Sequence, residues 1–459
     1  MNSFSIFDTT NRREFLQFVA AATITGLAGT ANLATAKEWK VHGRGHKKRP
    51  RIAAIYTELR EFSHAYHILE AHMGPYLFNG QLTDPGVDVV SYYADQFPDG
   101  DMTREAVQRL KMPLYDSIAE ALTCGGKELA VDGVLLIGEH GTYPKSPLGQ
   151  VMYPRKEFFD QIVAVMDQSQ RYVPVFNDKH LSWRWDWAKE MYDTAQDRGF
   201  ALMAGSSVPL AQRIPDLEFP NGAEVSGAVS IHGGPIESYD FHGLEVLESF
   251  IEARKGGEAG IMSVQLLEGP EMLEAGNVGK WRTDLAIAAM QAELDQDYDE
   301  ITLDGDYPLK HGLLLEHADG LRSAVLSVGN SGTRWNFACE IAGRDVPFAL
   351  KIYPGPWGNR NLFRALSHSI QELFLTGKSP YPVERTLLAT GVLDAAMHSH
   401  AEDGALVITP HLKLPYQPIN FDHLRERGDS WKILKPGSPR PEKFEPGDLP
   451  TLERIVEGE

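Results

Sequence analysis

The sequence predicts an α/β fold, in which a doubly wound parallel-sheet domain precedes an α+β domain with a mostly antiparallel sheet. Two observations lead to this class. In residues 51–205, short apolar runs alternate with segments of helical periodicity, which is typical of a parallel sheet covered by helices. From about residue 206, apolar and polar residues mostly alternate with period two between turn residues, as they do in antiparallel strands.

The first half supplies the strands and helices of a Rossmann-like domain. Its clearest strands are Arg51–Tyr56 and Val131–Ile137, which are almost wholly apolar and therefore buried on both faces. The predicted strands are residues 51–56, 87–93, 131–137, 173–176 and 201–207. The predicted helices are residues 63–73, 103–110, 115–122, 155–168 and 183–198.

The second half continues with strands that are interrupted and then followed by helices. The predicted strands are residues 223–231, 261–267, 312–316, 323–327, 335–341 and 348–352. The predicted helices are residues 239–254, 283–294, 361–375 and 383–400. We expect this domain to span residues 206–410, after a Rossmann-like domain at 51–205, and to be followed by a Pro/Gly-rich tail at 411–459 that wraps the surface or is partly loose.

The N-terminus predicts export. Asn11-Arg12-Arg13-Glu14-Phe15-Leu16 is typical of a twin-arginine signal, and a short apolar stretch and small residues at 34–36 follow it. We therefore expect a signal peptide at 1–36, a flexible basic linker at 37–50, and a periplasmic or extracytoplasmic protein. The mature protein should have no membrane span.

Charge and cysteine content narrow the possible partners. The formal net charge of −19 argues against nucleic acid, which would repel the protein. Two cysteines, Cys124 and Cys339, are too few for a disulfide framework, although one bridge is possible.

Polar residues follow the buried strands at the edge where open α/β sheets bind ligands. They are Ser63-His64, Glu139-His140 and Asp178-Lys179-His180, with Asp240 and His242 in the second half. Such His and carboxylate groups suit general acid/base catalysis, with Lys179 as charge stabiliser or proton carrier. They also suit a divalent metal, but no pair has a fixed ligand spacing, so the metal ligands are unknown.

Phe374-Leu375-Thr376-Gly377-Lys378-Ser379-Pro380, Pro382-Val383-Glu384 and the helix after them resemble the closing helices of the Gfo/Idh/MocA family of sugar and inositol oxidoreductases. The resemblance covers about residues 51–410. Asn177–Leu181 lies where that family has Glu-Lys-Pro-Leu. The resemblance implies that Lys179 lies beside a nicotinamide. It also implies that His242 is the catalytic-site histidine. The implied cofactor is NAD(P), with Asp95 and Thr57 as binding residues. The substrate would be a carbohydrate, and homo-oligomers would form through the C-terminal sheet.

The chain departs from the family at the first turn. Residues 57–64 contain no glycine, and Glu58 and Glu61 would repel a phosphate. Four positions before His242, where the family has an acidic residue, this chain has Ser238, and Glu237 and Asp240 are the acidic residues that could take its place. We therefore predict that this turn does not hold a pyrophosphate in the usual way.

Three functions stay open. The leading one is an exported Gfo/Idh/MocA-like oxidoreductase acting on a sugar or polyol. The second is a cofactor-free or metal-dependent hydrolase or lyase on carbohydrate. The third is a non-catalytic carbohydrate-binding protein.

Overall fold

A parallel sheet organises the first half of the chain. The computed structural model describes residues 39–457 except 46–47, 295–302, 304, 306 and 442, so the predicted export signal lies outside the described residues. The strands up to residue 205 are β1 Val41–His42, β2 Arg51–Tyr56, β3 Tyr76–Phe78, β4 Gln81–Thr83, β5 Asp88–Ala94, β6 Gly133–Ile137, β7 Val175–Asp178 and β8 Leu202–Gly205.

Strands β5, β2, β6, β7 and β8 lie side by side in that order, and all of their pairings are parallel. The helices that connect them are α1 His64–Met73, α2 Thr103–Leu110, α3 Ile118–Thr123, α4 Arg155–Ser169 and α5 Trp185–Arg198. Successive residues of β2 point to opposite faces: Ile52 belongs to one apolar core and Ala53 to another. The predicted parallel sheet with helices on both faces is therefore confirmed.

The second sheet has eight strands within the described residues, in the order β16-β11-β12-β13-β10-β14-β15-β9. They are β9 Gln212–Ile214, β10 Val225–His232, β11 Ile261–Glu268, β12 Leu309–His317, β13 Arg322–Val328, β14 Trp335–Ile341, β15 Phe348–Tyr353 and β16 Val407–Ile408. Only the β10–β13 pairing among these is parallel, so the prediction of a mostly antiparallel sheet is also confirmed.

The remaining α-helices of the described residues follow β8. They are α6 Asp240–Ile251, α7 Gly269–Asn277, α8 Thr283–Leu294, α9 Asn359–Thr376, α10 Val383–Ala401 and α11 Leu449–Glu457. Helix α10 contacts β8 of the first sheet and β11 of the second, and most of its residues are buried. Helix α9 packs on α1, at the edge of the parallel sheet.

The segment predicted as a flexible linker is held by specific contacts, which corrects that interpretation, and the tail, predicted to wrap the surface or to be partly loose, is anchored in the core. In the segment predicted as a linker, β1 pairs with β4, and Arg44 Nη2 lies 2.7 Å from Glu372 Oε2. In the tail, Asp448 is fully buried and pairs with Arg364 at 2.7 Å. These contacts are between residues far apart in sequence, which local composition does not reveal.

Cys124 and Cys339 do not form a bridge; both are free thiols, and Cys339 is buried. No helix in the described part of the chain combines the length and apolarity needed to cross a membrane.

Candidate functional site

Five of the predicted residues meet because β6 and β7 are neighbours in the sheet. Glu139 and His140 follow β6, while Asp178 ends β7 and is followed by Lys179 and His180. His140 and Lys179 have backbone φ angles of 73° and 62°, in the left-handed region that non-glycine residues rarely adopt. Such conformations cost free energy and cluster at functional sites, so they support a functional role for this edge.

A buried charge network occupies the centre of the edge. Lys179 Nζ lies 3.1 Å from Glu139 Oε1, and Arg155 forms a second ion pair with the other oxygen of Glu139. Burial alone would raise the pKa of Glu139, but Lys179 and Arg155 together lower that pKa well below its usual value. Glu139 is therefore an ionised carboxylate whose charge holds Lys179 in place.

Glu237 contributes a second carboxyl with the opposite behaviour. Burial raises the pKa of Glu237 to about 7, against a lowering by Lys179, and the charge of Glu139 adds to the increase. Its Oε1 lies 3.4 Å from His180 Nε2. Arg155 Nη1, which can only donate, lies 3.3 Å from the same nitrogen, so His180 Nε2 is an acceptor. With a pKa of about 7, Glu237 can hold or release a proton near neutral pH.

The loop that carries Glu237 is tied to the sheet edge. Lys179 Nζ donates a hydrogen bond of 3.2 Å to the backbone oxygen of Ser238. Glu237 itself has a φ of 67°, again left-handed. Its side chain is 17% exposed, so it lies between the buried charges and the solvent.

Three histidines surround this centre. His64 Nδ1 donates to Asp178 Oδ2 at 2.6 Å, and its ring contacts that of His140 edge to face, with centroids 5.0 Å apart. Burial and the neighbouring His64 lower the pKa of His140 to about 3. Burial and the charge of Lys179 lower the pKa of His242 well below its usual value, and its Nδ1 shares a 2.7 Å hydrogen bond with Ser206 Oγ. His140 and His242 are therefore neutral at pH 7.

Asp240 has different partners from those expected at the sheet edge. Its Oδ1 lies 2.9 Å from Nε2 of both His232 and His311, and its Oδ2 accepts the backbone N–H of Glu237 at 2.8 Å. Burial would raise the pKa of Asp240, but His311 and His232 lower it below the usual range. Its carboxylate therefore holds the Glu237 loop in place and does not neutralise Lys179.

The group formed by His232, Asp240 and His311 brings three potential metal-ligand atoms within 4.8 Å of one another. A histidine that binds a metal donates its second ring N–H to an acceptor. The second nitrogen of His232, Nδ1, instead accepts the backbone N–H of Gly234 at 3.2 Å, so Nε2 carries the ring proton and donates to Asp240. The donor set fits a hydrogen-bonded His–Asp–His group and not a metal ion.

The first turn does not fit the pyrophosphate of a dinucleotide. The backbone N–H of Leu59 donates to Asp101 at 2.7 Å, and that of Arg60 donates to Ser63 Oγ at 3.2 Å. Glu58 is 3% exposed and forms a 2.5 Å ion pair with Arg60, so a carboxylate lies inside the turn. Backbone N–H groups that bind phosphate must point at the ligand without a competing negative charge, which this turn does not provide.

The other two residues expected at a cofactor bind within the protein. Thr57 Oγ1 donates to the backbone oxygen of Glu139 at 2.6 Å. Both oxygens of Asp95 accept tyrosine hydroxyls, from Tyr93 at 3.0 Å and Tyr143 at 2.6 Å. Thr57 thus helps to orient the Glu139 segment, and Asp95 is held by the two tyrosines.

The sequence prediction did not include Arg155, His232 and His311. Arg155 begins α4 after a loop of 17 residues that starts at the end of β6, so no local motif links it to Glu139. His311 lies on a strand 71 positions from Asp240. The sequence signal that could have indicated Arg155 is its place at the start of the helix that follows the Glu139–His140 pair.

Comparison with known proteins gives fold neighbours alone. No protein-family model matches the sequence, and no curated protein is similar to it. Solved structures that are similar include the myo-inositol dehydrogenase from Lactobacillus casei in complex with NAD(H) and myo-inositol, at 14% identity and a TM-score of 0.49, covering 79% of this chain and 97% of that one. A probable dehydrogenase from Thermotoga maritima has 12% identity and a TM-score of 0.48, with coverages of 79% and 99%. A myo-inositol dehydrogenase from Corynebacterium glutamicum has 12% identity and a TM-score of 0.46, with the same coverages.

All three neighbours are dehydrogenases by name. At such low identity and TM-score the likeness concerns the path of the chain. The fold described above rests on the strand order and register of this protein.

Proposed function

We propose that this protein is an enzyme that acts on a sugar or polyol by acid/base chemistry at the edge of the parallel sheet. One observation carries the proposal: two carboxyls around Lys179 have pKa values moved in opposite directions, Glu139 downward and Glu237 upward to about 7. Two carboxyls whose environments separate their pKa values have separate roles in acid/base catalysis. A group with a pKa near the working pH transfers protons most effectively.

The residues then have distinct tasks. Glu237 exchanges the proton with the substrate, and Lys179 offers a positive charge to a substrate oxygen that becomes negative. Glu139 and Arg155 are positioning residues, since their ion pairs hold Lys179 and His180 at the edge. Hydroxyl groups of the substrate would bind beside the neutral His242 and beside His64, which is hydrogen-bonded to Asp178.

The reaction that fits is an elimination that needs no dinucleotide. In the ionised form that a pKa of about 7 makes available near neutral pH, Glu237 removes a proton from a carbon next to a carbonyl or carboxylate. Lys179 stabilises the resulting enolate. The electron pair then forms a carbon–carbon double bond, and the leaving oxygen departs with the proton that Glu237 returns to it. The substrate class is therefore a sugar bearing a carbonyl or carboxylate. A reaction without a dinucleotide is supported by the first turn, whose backbone N–H of Leu59 and carboxylate of Glu58 bind other protein groups.

The second candidate is a polyol oxidoreductase of the Gfo/Idh/MocA kind that uses NAD(P). Its support is that Lys179 is near enough to His242 for its charge to lower the pKa of that histidine. The family resemblance implies that both residues lie at the reacting carbon. The fold neighbours named as inositol dehydrogenases are consistent with it. With the export signal expected at residues 1–36, either enzyme would act outside the cytoplasm.

Proton exchange in heavy water separates these candidates. Purified protein is incubated in D2O with uronates and keto sugars, with and without NAD(P)+, and the carbon-bound hydrogens are followed by NMR. We expect deuterium to enter next to the carbonyl or carboxylate without a dinucleotide, to be lost in Glu237→Gln, and to persist in the exposed control Glu128→Gln. Turnover that requires NAD(P)+ would favour the oxidoreductase, while neither exchange nor turnover would favour the non-catalytic binding protein.

A further inference from the structure

A second group of ionisable residues lies away from the sheet edge, in the interior of the second half. Glu248 is on α6, Glu258 precedes β11, and His317 ends β12. Each is 1% exposed, and their potential ligand atoms lie within 4.8 Å of one another. Three elements of the fold therefore each direct one metal-binding type of side chain to the same point.

The buried carboxyl of Glu248 has no hydrogen-bond partner among the described residues. Neither Oε1 nor Oε2 has a partner among the described residues, and both atoms are inaccessible to solvent. The neighbouring Glu258 is itself a carboxylate, which can only accept unless a proton is shared. An isolated buried charge is strongly unfavourable, so this geometry requires a positive partner or a proton.

His317, unlike His232, can donate its second ring N–H to an acceptor, as a metal-binding histidine does. His317 Nδ1 faces Glu258 Oε1 at 3.2 Å, and its other nitrogen, Nε2, lies 2.9 Å from the hydroxyl of Ser323. The hydroxyl can accept the Nε2–H, which leaves Nδ1 unprotonated toward the carboxylates. This is the arrangement of a metal-binding histidine whose second N–H is fixed by a hydrogen bond.

The carboxylate of Glu258 is also oriented in advance. Its Oε1 accepts the backbone N–H of Ala259 at 3.0 Å and that of Gly260 at 2.7 Å. Its Oε2 accepts from Arg254 Nη1 at 2.5 Å. These bonds hold the group without a contribution from Glu248.

The surrounding charges leave room for a cation. Besides Glu248 and Glu258, Glu252 and Asp319 are in this region, while the guanidinium groups are those of Arg254 and Arg385. Arg254 pairs with Glu258 and Asp319, and Arg385 pairs with Glu252. Asp319 is 34% exposed, so solvent screens its charge. The three buried carboxylates thus face two buried guanidinium groups, and Glu248 needs a proton or a cation.

We propose that Glu248, Glu258 and His317 bind one divalent transition-metal ion in a structural site. Two carboxylates and an imidazole suit Zn²⁺, Mn²⁺ or Fe²⁺, whereas Ca²⁺ and Mg²⁺ prefer oxygen ligands alone. The ion would join α6 to the ends of β11 and β12. Because α6 also carries Asp240 and His242, the ion would hold in place the helix that faces the sheet edge.

Metal content and thermal stability of the full-length protein test this site. Protein purified and then dialysed against Zn²⁺ or Mn²⁺ is analysed by elemental mass spectrometry, and its Tm is measured before and after a chelator. We expect about one ion per chain and a fall in Tm of roughly 5 °C or more on chelation, reversed by adding the metal back.

Three variants sharpen the result. Glu248→Gln and His317→Gln should each lose the ion, while Glu245→Gln, a buried carboxyl on the same helix, should keep it. Wild-type protein that holds no Zn²⁺ or Mn²⁺ would overturn the proposal. So would a Glu248→Gln variant that retains the ion, or one that binds no ion and is still as stable as the metal-loaded wild type, since a structural ion must contribute to the Tm. Circular dichroism tests whether each variant is folded. If one variant is unfolded, the metal content of the wild type and of the other variant tests the proposal.

Discussion

Glu237→Gln should change how stability depends on pH, and the sign follows from the direction of the pKa shift. The pKa of Glu237 rises from 4.5 to about 7, first because of burial. The folded state therefore holds this proton more tightly than the unfolded state. The stabilising effect of the proton is fully present below pH 4.5 and is lost as the pH rises through 7. Glutamine removes that dependence, because it neither gains nor loses a proton.

The size of the effect follows from the same shift. One pKa unit corresponds to about 1.4 kcal/mol, so the folded wild type loses about 3 kcal/mol relative to the variant between pH 4.5 and pH 8. The side chain is 17% exposed, so solvent screening reduces this figure only modestly.

Denaturant unfolding gives the free energy of unfolding of both proteins at pH 4.5 and pH 8. The effect is the change, between the two pH values, in the difference between variant and wild type. Other buried carboxyls, such as Glu70 and Glu245, titrate in both proteins and cancel. We expect the variant to gain about 3 kcal/mol on the wild type as the pH rises. Glu128→Gln, which changes an exposed carboxyl, should show no such gain. A gap between Glu237→Gln and wild type that is the same at both pH values would refute the burial argument and, with it, the role of Glu237 as a proton carrier.

Three further predictions concern the fold and the cofactor. Asp448→Asn should lower the free energy of unfolding by about 3 kcal/mol in denaturant titrations, because it removes the carboxylate charge that accepts both side-chain hydrogen bonds of the buried Arg364; an unchanged midpoint would show that the tail is not part of the core. Gly234→Ala should destabilise by about 2 kcal/mol, because its Cβ would come within 2.0 Å of the ring of Tyr239, and a variant as stable as wild type would contradict the close approach. NADH and NADPH should show no saturable binding by fluorescence titration, and the phosphates of a dinucleotide bound against residues 57–63 would disprove the reading of the first turn.

The buried strands and the position of the strand-end groups could be read from the sequence. Arg51–Tyr56 and Gly133–Ile137 pair as expected, since a run of apolar residues between helices has few alternatives to a central parallel strand. Glu139 and Lys179 met because adjacent parallel strands end at the same edge. These features depend on local periodicity and on a topology rule, both of which a single sequence contains.

The chemistry of the site depended on contacts that no local pattern contains. Arg155 reaches Glu139 from the far side of a long loop, and Asp240 meets His311 from another strand. The pKa of Glu237 depends on how deeply its loop is buried beside Glu139 and Lys179. Residue types specify which groups can carry charge, but the desolvation and the partner distances that set each pKa exist only once distant segments have packed together. The sequence by itself therefore determined the sheet and its reactive edge, and the tertiary structure decided which carboxyl there holds a proton.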